Sequence, residues 1–374
     1  MTDRIREIAV LAGDGIGPEV MRQGLRVLQA VTEKYGYAFN LSSALIGGAA
    51  IAKTGSPLPP ETLELCDGAD AVLLGAVGLP EYDQDPNITV RPEQGLLGLR
   101  KALQLYLNIR PVTIFPSMVE QSVLKPQVLN DVDFVIYREL SSGIYFGEKH
   151  EASETSPNAS DLCAYTSEEI HRVVTRAFAA AESRRGQLCL VDKANVLATS
   201  RLWRQVTMRL AADHPAVTVD YMYVDNAAMQ LVLNPRQFDV IVTSNMFGDI
   251  LSDLASAIVG SIGLLPSASI GTGTALFEPV HGSYPQAAGK DIANPLAMIL
   301  SVAMMLEHLG LSDAAADVRE AVRRCTDKGI GTSDMHPEHE CGCSKMGELI
   351  AHMVADEDFR LNVGKKGAIS DTII

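Results

Sequence analysis

Short apolar runs alternate with longer amphipathic stretches along almost the whole chain, and that alternation leaves few folds open other than α/β. The candidate strands read EIAVLAG, DAVLLGAVG, DFVIYREL, QLCLVDK, VTVDYMYVD, FDVIVTSN and TALFEPVHG. Helical periodicity covers Pro18 to Lys34, Pro92 to Leu107, Glu168 to Arg185, Arg201 to Asp213 and Asp249 to Val259. Pro18 stands at a helix start, where its missing N–H costs nothing. At 374 residues the chain exceeds the roughly 250–300 residues over which one core keeps growing, so two domains are expected. No repeat or low-complexity linker separates them, which points to direct chain crossings.

Composition narrows the partners. A formal net charge of −15 opposes nucleic-acid binding, which needs clustered Lys and Arg, and there is no basic patch for an anionic membrane. The longest apolar stretch, Leu296 to Leu306, is too short to span a bilayer and reads as a buried helix. The start, MTDRIREIAVLAGDG, is charged and enters a strand directly, unlike a secretory signal. A cytoplasmic protein with reduced thiols at its six scattered cysteines is therefore expected.

The chemistry is carried first by Asp249 and Asp253 in TSNMFGDILSDLASAIVG. Their i, i+4 spacing on a helix puts both carboxylates on one side, with Leu251, Leu254 and Ile258 on an apolar face. Two such carboxylates repel unless a cation lies between them, and oxygen ligation suits Mg2+ or Mn2+. A solvated acidic helix face is the plain alternative. The pair follows the buried-strand run FDVIVTSN, however, and helix starts after strands are where α/β proteins bind ligands. Other strand ends collect polar groups too: Asp192 with Lys193, Asp225 with Asn226, and Ser244 with Asn245.

Two other local signals are weaker. GDGIGPEV, from Gly13, makes a tight strand–helix turn but lacks the G-x-G-x-x-G dinucleotide fingerprint. His336, His339, Cys341 and Cys343 make a possible zinc-type set. Their compact spacing, with no second arm, favours a polar loop with incidental thiols.

Arg100, Arg110 and Arg138 lie near strand or helix ends and suit a clamp for a substrate with two carboxylates. Surface ion pairing is the alternative for each. Leu96 and Leu97 share a helix face with Arg100, so a carboxylate beside a branched alkyl group fits there. The alternative is an arginine snorkelling over apolar surface. Lys193 is a candidate base and Tyr145 its complementary acid, although a buried tyrosine hydrogen bond would serve equally.

Taken together, GDGIGPEV, RPEQGLLGLRKALQLYLNIRPV, IYRELSSGIYFGE, VDKANVL, YVDNAAMQLV, TSNMFGDILSDLAS and LFEPVHGS resemble the isocitrate/isopropylmalate family of β-decarboxylating dehydrogenases. The likeness runs in order from Gly13 to about Leu309 and is nearest to the branch acting on 3-isopropylmalate. It implies a two-domain α/β fold distinct from the Rossmann arrangement. One domain would comprise residues 1–105 plus 260–374 and bind the cofactor. The other, 106–259, would bind substrate and metal and form a homodimer. The resemblance makes Arg100, Arg110 and Arg138 the carboxylate clamp, and Asp225, Asp249 and Asp253 the metal ligands. Tyr145 and Lys193 become acid and base, with Asp225, Lys193 and Val196 reaching the site from the partner subunit. The turn from Gly75 to Gly78, with Glu93, His281, Gly282, Tyr284, Gln286 and Asn294, would hold NAD. The family commonly reads HGSAPDIAGK where this chain reads HGSYPQAAGK. Gln286 thus replaces an aspartate that repels the 2′-phosphate of NADP, and a weaker preference for NAD over NADP follows.

The implied reaction is oxidative decarboxylation of 3-isopropylmalate to 4-methyl-2-oxopentanoate and CO2, with Lys193 taking the hydroxyl proton and Tyr145 protonating C3. Transfer of the isopropyl group into a Leu96, Leu97 and Val196 pocket is worth on the order of 2 kcal/mol. A sister enzyme for D-malate, tartrate, homoisocitrate or isocitrate is the alternative within the family. A catalytically silent regulatory subunit is the alternative outside enzymology, and it would be expected to have lost one of these acid, base or metal residues.

Overall fold

The computed structural model describes residues 4–82, 88–122, 124–153, 156–356, 359–363 and 369–372; Met1–Asp3 of the charged start lie outside them. Ten strands form one sheet: β1 (Arg6–Gly13), β2 (Phe39–Ser43), β3 (Ala71–Ala76), β4 (Leu105–Thr113), β5 (Asp133–Glu139), β8 (Gln187–Asp192), β9 (Thr218–Tyr223), β10 (Val240–Thr243), β11 (Pro266–Gly271) and β12 (Ala275–Pro279). Two short strands, β6 (Lys149–His150) and β7 (Ser160–Asp161), pair as a separate antiparallel ribbon. The helices among the described residues are α1 (Gly17–Tyr35), α2 (Gly48–Thr54), α3 (Pro60–Asp67), α4 (Glu93–Ala102), α5 (Pro126–Leu129), α6 (Ser167–Ser183), α7 (Ala198–Ala211), α8 (Val224–Leu233), α9 (Asn245–Val259), α10 (Leu296–His308), α11 (Ser312–Asp327) and α12 (Cys343–Ala355).

The sheet order is β2-β1-β3-β12-β11-β4-β5-β10-β8-β9. Strands from residues 6–76 and 266–279 make one half, and strands from residues 105–243 make the other. They meet where β4 pairs antiparallel with β11, setting Asn108 opposite Ser269. Interior strands such as β3 (AVLLGA) are buried along their whole length, as expected where helices cover both faces. The edge strands β2 (FNLSS) and β9 (TVDYMY) are exposed or half-buried along their whole length.

Three apolar clusters hold the sheet between its helices. The largest joins Ile8, Val31, Met298 and Leu306 to Phe134, Leu251 and Ile258, and so runs through both halves. A second packs α6 and α7 through Phe178 and Trp203 against Leu190 and Val242. A third gathers Leu11, Ile46, Leu74, Leu99 and Leu276. Leu251 and Ile258 anchor α9, each burial contributing about 1.5–3 kcal/mol.

Three expectations need correction. The helix expected over Pro92 to Leu107 ends at Ala102, and Leu105 already belongs to β4. Gln104 takes φ 51° at the junction, and pairing with β5 and β11 wins over the local helical spacing. Residues Val224–Leu233 form α8, so Asp225 stands in a first helical turn rather than at a strand end. The helix expected from Asp249 begins one turn earlier, at Asn245.

The apolar run at Leu296 to Leu306 is α10, buried on nearly every side. Among the described residues no helix is long and apolar enough to cross a membrane. Nor do three His, Cys, Asp or Glu side chains gather closely enough there to hold a metal ion. Cys343 is buried at the start of α12, and the sulfurs of Cys325 and Cys341 each lie 3.8 Å from Met346 Sδ. Burial pushes the Cys325 and Cys343 thiols up to about 12 and Cys341 to about 11. These protonated thiols serve packing.

Candidate active site

Alternation along two neighbouring strands decides which side chains meet. Arg110 on β4 and Arg138 on β5 face α9, as does Asn108, which pairs directly opposite Arg138. Leu107, Ile109, Val135 and Tyr137 point the other way, into a cavity of about 930 Å³ on the far side of the sheet. The candidate site residues are on the α9 side.

There α9 offers a polar stripe at i, i+3, i+4, i+7 and i+8: Asn245, Gly248, Asp249, Ser252 and Asp253. Arg138 Nη1 donates to Asp249 Oδ1 at very short range, and Arg110 Nη2 lies 3.6 Å from the same oxygen. Arg110 Nη1 is 3.4 Å from Asp253 Oδ1. Tyr145, in a 3-10 turn over Gly143–Tyr145, donates its hydroxyl to Asp249 Oδ2 at 2.8 Å. Arg100, on α4, donates to Glu278 of β12 at 2.8 Å, with both side chains largely buried.

The electrostatics follow from this crowding. Burial pulls Arg138 down to about 10, with Arg110 adding to the shift and Asp249 opposing it. Burial also lowers Arg110, against the attraction of Asp249. Burial raises Asp253, where Asp249 adds repulsion and Arg110 opposes. Tyr145 is raised by burial and then by its bond to Asp249, a carboxylate that favours the neutral phenol. Three guanidiniums face three carboxylates (Asp249, Asp253 and Glu278), so a dianion and a divalent cation could enter together without changing the net charge.

Asp225 and Lys193 lie apart from this cluster. Lys193 Nζ contacts Asp225 Oδ2 at 2.8 Å, on a carboxylate whose side chain is 67% exposed. The Lys193 hydrogen bond holds Asp225 below the usual carboxylate range. Val196 nearby is 64% exposed. Asp192 belongs to neither group: it is buried and bonded to Arg204 at 2.5 Å. Leu97 is exposed on α4, while Leu96 packs partly against the third apolar cluster.

The expected cofactor residues have differing surroundings, with Gly78 and Glu93 beside the loop that follows β12. Gly75 is required by packing, because a Cβ there would lie 2.3 Å from the carbonyl oxygen of Ala12. Gly78 takes φ 128°, and its carbonyl accepts from Ser283 Oγ at 2.5 Å. Glu93 lies beside it, 2.8 Å from where a Gly78 Cβ would sit. His281 is buried with Nδ1 2.8 Å from the Gly282 carbonyl, while Nε2 is buried without a partner. Burial lowers this imidazole, so it is neutral at pH 7. Gly282, Tyr284 and Gln286 are open to solvent. Asn294 is occupied, donating to Asp334 and accepting from the Leu296 amide.

The turn in GDGIGPEV is tied into the fold: Asp14 N donates to Ala76 O, Ile16 N to Ser283 O and Gly17 N to Asp14 O. The buried Asp14 carboxylate accepts from the amides of Gly48, Ala49 and Gly78, tying three loops together. Sequence reading also missed Asn108, Ser252 and Glu278. The first is two residues from Arg110 on the same strand face, and the second is three from Asp249 on the same helix face.

With this geometry in view, residues 7–350 match the isocitrate/isopropylmalate dehydrogenase family. The chain belongs to that family. It is 50% identical to the 3-isopropylmalate dehydrogenase of Bacteroides fragilis over 350 residues, covering 93% of this chain and 98% of that one. It is 53% identical to the protein of the same name from Oleidesulfovibrio alaskensis over 353 residues, 92% and 98% of the two chains. Among solved structures, isocitrate dehydrogenase from Methylococcus capsulatus superposes with a TM-score of 0.84 at 36% identity, covering 94% of this chain and all of that one. A β-decarboxylating dehydrogenase from Thermococcus kodakarensis gives 0.78 at 36% identity, covering 95% and 99%. The fold is accordingly the α/β fold of these dehydrogenases.

Proposed function

We propose that this chain catalyses the NAD-dependent oxidative decarboxylation of (2R,3S)-3-isopropylmalate to 4-methyl-2-oxopentanoate and CO2, the oxidoreductase step of leucine biosynthesis. The observation carrying this reading is the convergence of Arg110, Arg138, Asp249, Asp253 and Tyr145 in a chain about half identical, nearly end to end, to relatives of that name.

The residues divide the work. Arg100, Arg110 and Arg138 bind the two carboxylates of the substrate and hold it in one orientation. Asp249 and Asp253, with Asp225 of a second copy, suit Mg2+ or Mn2+, since all offer hard anionic oxygens. The fit is supported by the placement of both carboxylates on one face of α9, where burial and then repulsion from Asp249 raise Asp253. When bound, the ion supplies a Lewis acid and the nicotinamide a hydride acceptor. Lys193 takes the proton from the substrate C2 hydroxyl. Tyr145, held protonated at neutral pH beside Asp249, delivers one to C3 after the β-carboxylate has left. Leu96 and Leu97, with Val196 of the second copy, receive the isopropyl group. The open loop from His281 to Gln286, with Gly78, Glu93 and Asn294, borders the NAD site. The unpartnered Nε2 of His281 supports a polar ligand there.

A homodimer is part of the proposal. Met229, Val232 and Leu233 on α8 and Ile250 on α9 are exposed apolar side chains on the two helices that carry the acids. Covering them with a second copy would bring one chain's Asp225 and Lys193 toward the other's arginines. The sheet supports a division into a cofactor domain of residues 1–105 and 260–374 and a substrate domain of residues 106–259. A cytoplasmic location fits an enzyme of this kind.

The likeness to a solved isocitrate dehydrogenase favours one second reading, a sister enzyme for another 2-hydroxy diacid. NADH formation with Mg2+, NAD and 3-isopropylmalate, beside isocitrate, D-malate and tartrate, separates the two. Fast turnover of isopropylmalate alone is expected; preference for another acid overturns the substrate while keeping the chemistry. Leu96→Ala should lower activity on isopropylmalate more than on D-malate, and equal losses would remove Leu96 from the alkyl pocket.

A further inference from the structure

The arginines of this chain are held in two different ways. Outside the site, Arg204 meets Asp192 at 2.5 Å and Arg184 meets Asp239 at 2.8 Å, each through Nε. Arg100 meets Glu278 through Nη2. Arg110 and Arg138 also meet carboxylates, Asp249 and Asp253, through Nη atoms, but their Nε atoms rest on neutral acceptors. Both Nε and Nη2 of Arg138 donate to the amide oxygen of Asn245, at 3.1 and 2.8 Å. Arg110 Nε donates to the amide oxygen of Asn108 at 2.7 Å, and its Nη1 donates to Ser252 Oγ at 2.5 Å.

These neutral acceptors are themselves fixed. Asn245 is buried; its Nδ2 donates to the Ser142 carbonyl at 3.2 Å, and its amide donates to the Tyr165 hydroxyl at 3.0 Å. Asn108 is fully buried and donates to Ser269 Oγ at 3.0 Å across the β4–β11 junction. Ser252 Oγ donates to the Asp249 carbonyl at 2.9 Å. Gly248 completes the seat, because a Cβ there would lie 2.6 Å from Arg138 Cγ.

A carboxylate in place of either amide would bind a guanidinium more strongly, through a charge-assisted bond. It would also cancel the charge that a substrate carboxylate needs. We propose that Asn108, Asn245 and Ser252 are positioning residues: they aim Arg110 and Arg138 without adding to the negative charge that Asp249 and Asp253 already set against them, and Gly248 provides the slot for the Arg138 stem. The proposal rests on the reading of both arginines as the substrate clamp.

The near-isosteric variants Asn108→Asp and Asn245→Asp test it. Ser269 can turn its hydroxyl to donate to an aspartate at position 108, so the hold on Arg110 survives. The expected result is a KM for isopropylmalate raised on the order of tenfold, an unchanged KM for NAD, a smaller change in kcat, and a Tm for Asn108→Asp no lower than wild type. A merely structural role predicts wild-type KM in that variant. Ser252→Ala adds no charge and is the companion should either aspartate variant fail to fold; it is expected to raise the same KM several-fold. Calorimetric binding of isopropylmalate with Mg2+, without NAD, should weaken in parallel. Wild-type KM and binding in Asn108→Asp and Ser252→Ala would overturn the proposal. A wild-type protein that turns over none of the acids would instead overturn the proposed function, and titration with each acid would still show whether these residues govern carboxylate binding.

Discussion

Two helices of this chain follow β-strands and carry acids in or near their first turns, yet they are in opposite situations. On α9, Asp249 and Asp253 meet arginines of their own chain and the hydroxyl of Tyr145. On α8, Asp225 stands largely exposed, with Lys193 its one charged partner among the described residues, beside exposed Met229, Val232 and Leu233. The anion-binding half of the proposed site is thus assembled within one chain. The base and a third carboxylate are presented outward. This difference teaches that, under the proposed function, a single copy has the parts of a site without the arrangement.

The sharpest way to break the comparison is subunit complementation. Arg138→Ala and Lys193→Ala should each abolish activity, whereas mixing them with subunit exchange should restore about a quarter of wild-type turnover. Half the dimers would be mixed, each with one intact site. No recovery in exchanged dimers would mean that Lys193 serves its own chain. Next in size, Tyr145→Phe removes the hydroxyl bonded to Asp249 and should lower kcat about 10²–10³-fold, measured with saturating isopropylmalate. A kcat within twofold of wild type would take Tyr145 out of the chemistry.

Leu233→Asp should weaken self-association by at least about a hundredfold, because it places a charge in the apolar face of α8; sedimentation against concentration reads this directly. Undiminished association would relocate the interface. Gln286→Asp should raise the ratio of NAD to NADP activity on the order of tenfold by restoring repulsion of the 2′-phosphate. Comparable kinetics would remove Gln286 from cofactor choice.

The smallest effect concerns pH. Burial depresses His281 below its ordinary 6.5, so the unfolded chain binds more protons below that value. Its contribution to stability is complete above pH 6.5 and is lost as pH falls through the depressed value. His281→Asn should flatten the acid side of a Tm-against-pH curve by on the order of 2 °C. An unchanged slope would assign the acid sensitivity to other groups.

Much of this protein was written locally. Apolar runs marked β1, β3, β5, β8, β10 and β12, because burial on both faces of a strand selects for unbroken apolar residues, and β-branched and aromatic residues marked the half-buried edge strand β9. The i, i+4 spacing put Asp249 and Asp253 on one face of α9, and motif likeness pointed to the three arginines. Tertiary structure alone decided the rest. Leu105–Thr113 became a strand against its helical spacing, since two neighbouring strands satisfied its backbone. GDGIGPEV became a structural turn, since the Asp14 carboxylate and the Ile16 amide found partners on distant loops. Arg100 was given the carboxylate of Glu278, while Arg110 and Arg138 received the neutral oxygens of Asn108, Asn245 and Ser252 beside the carboxylates of α9. A hydrogen bond or ion pair depends on where two side chains end in space. When the partners lie more than a hundred residues apart, that position is a property of the folded sheet and not of any window of sequence.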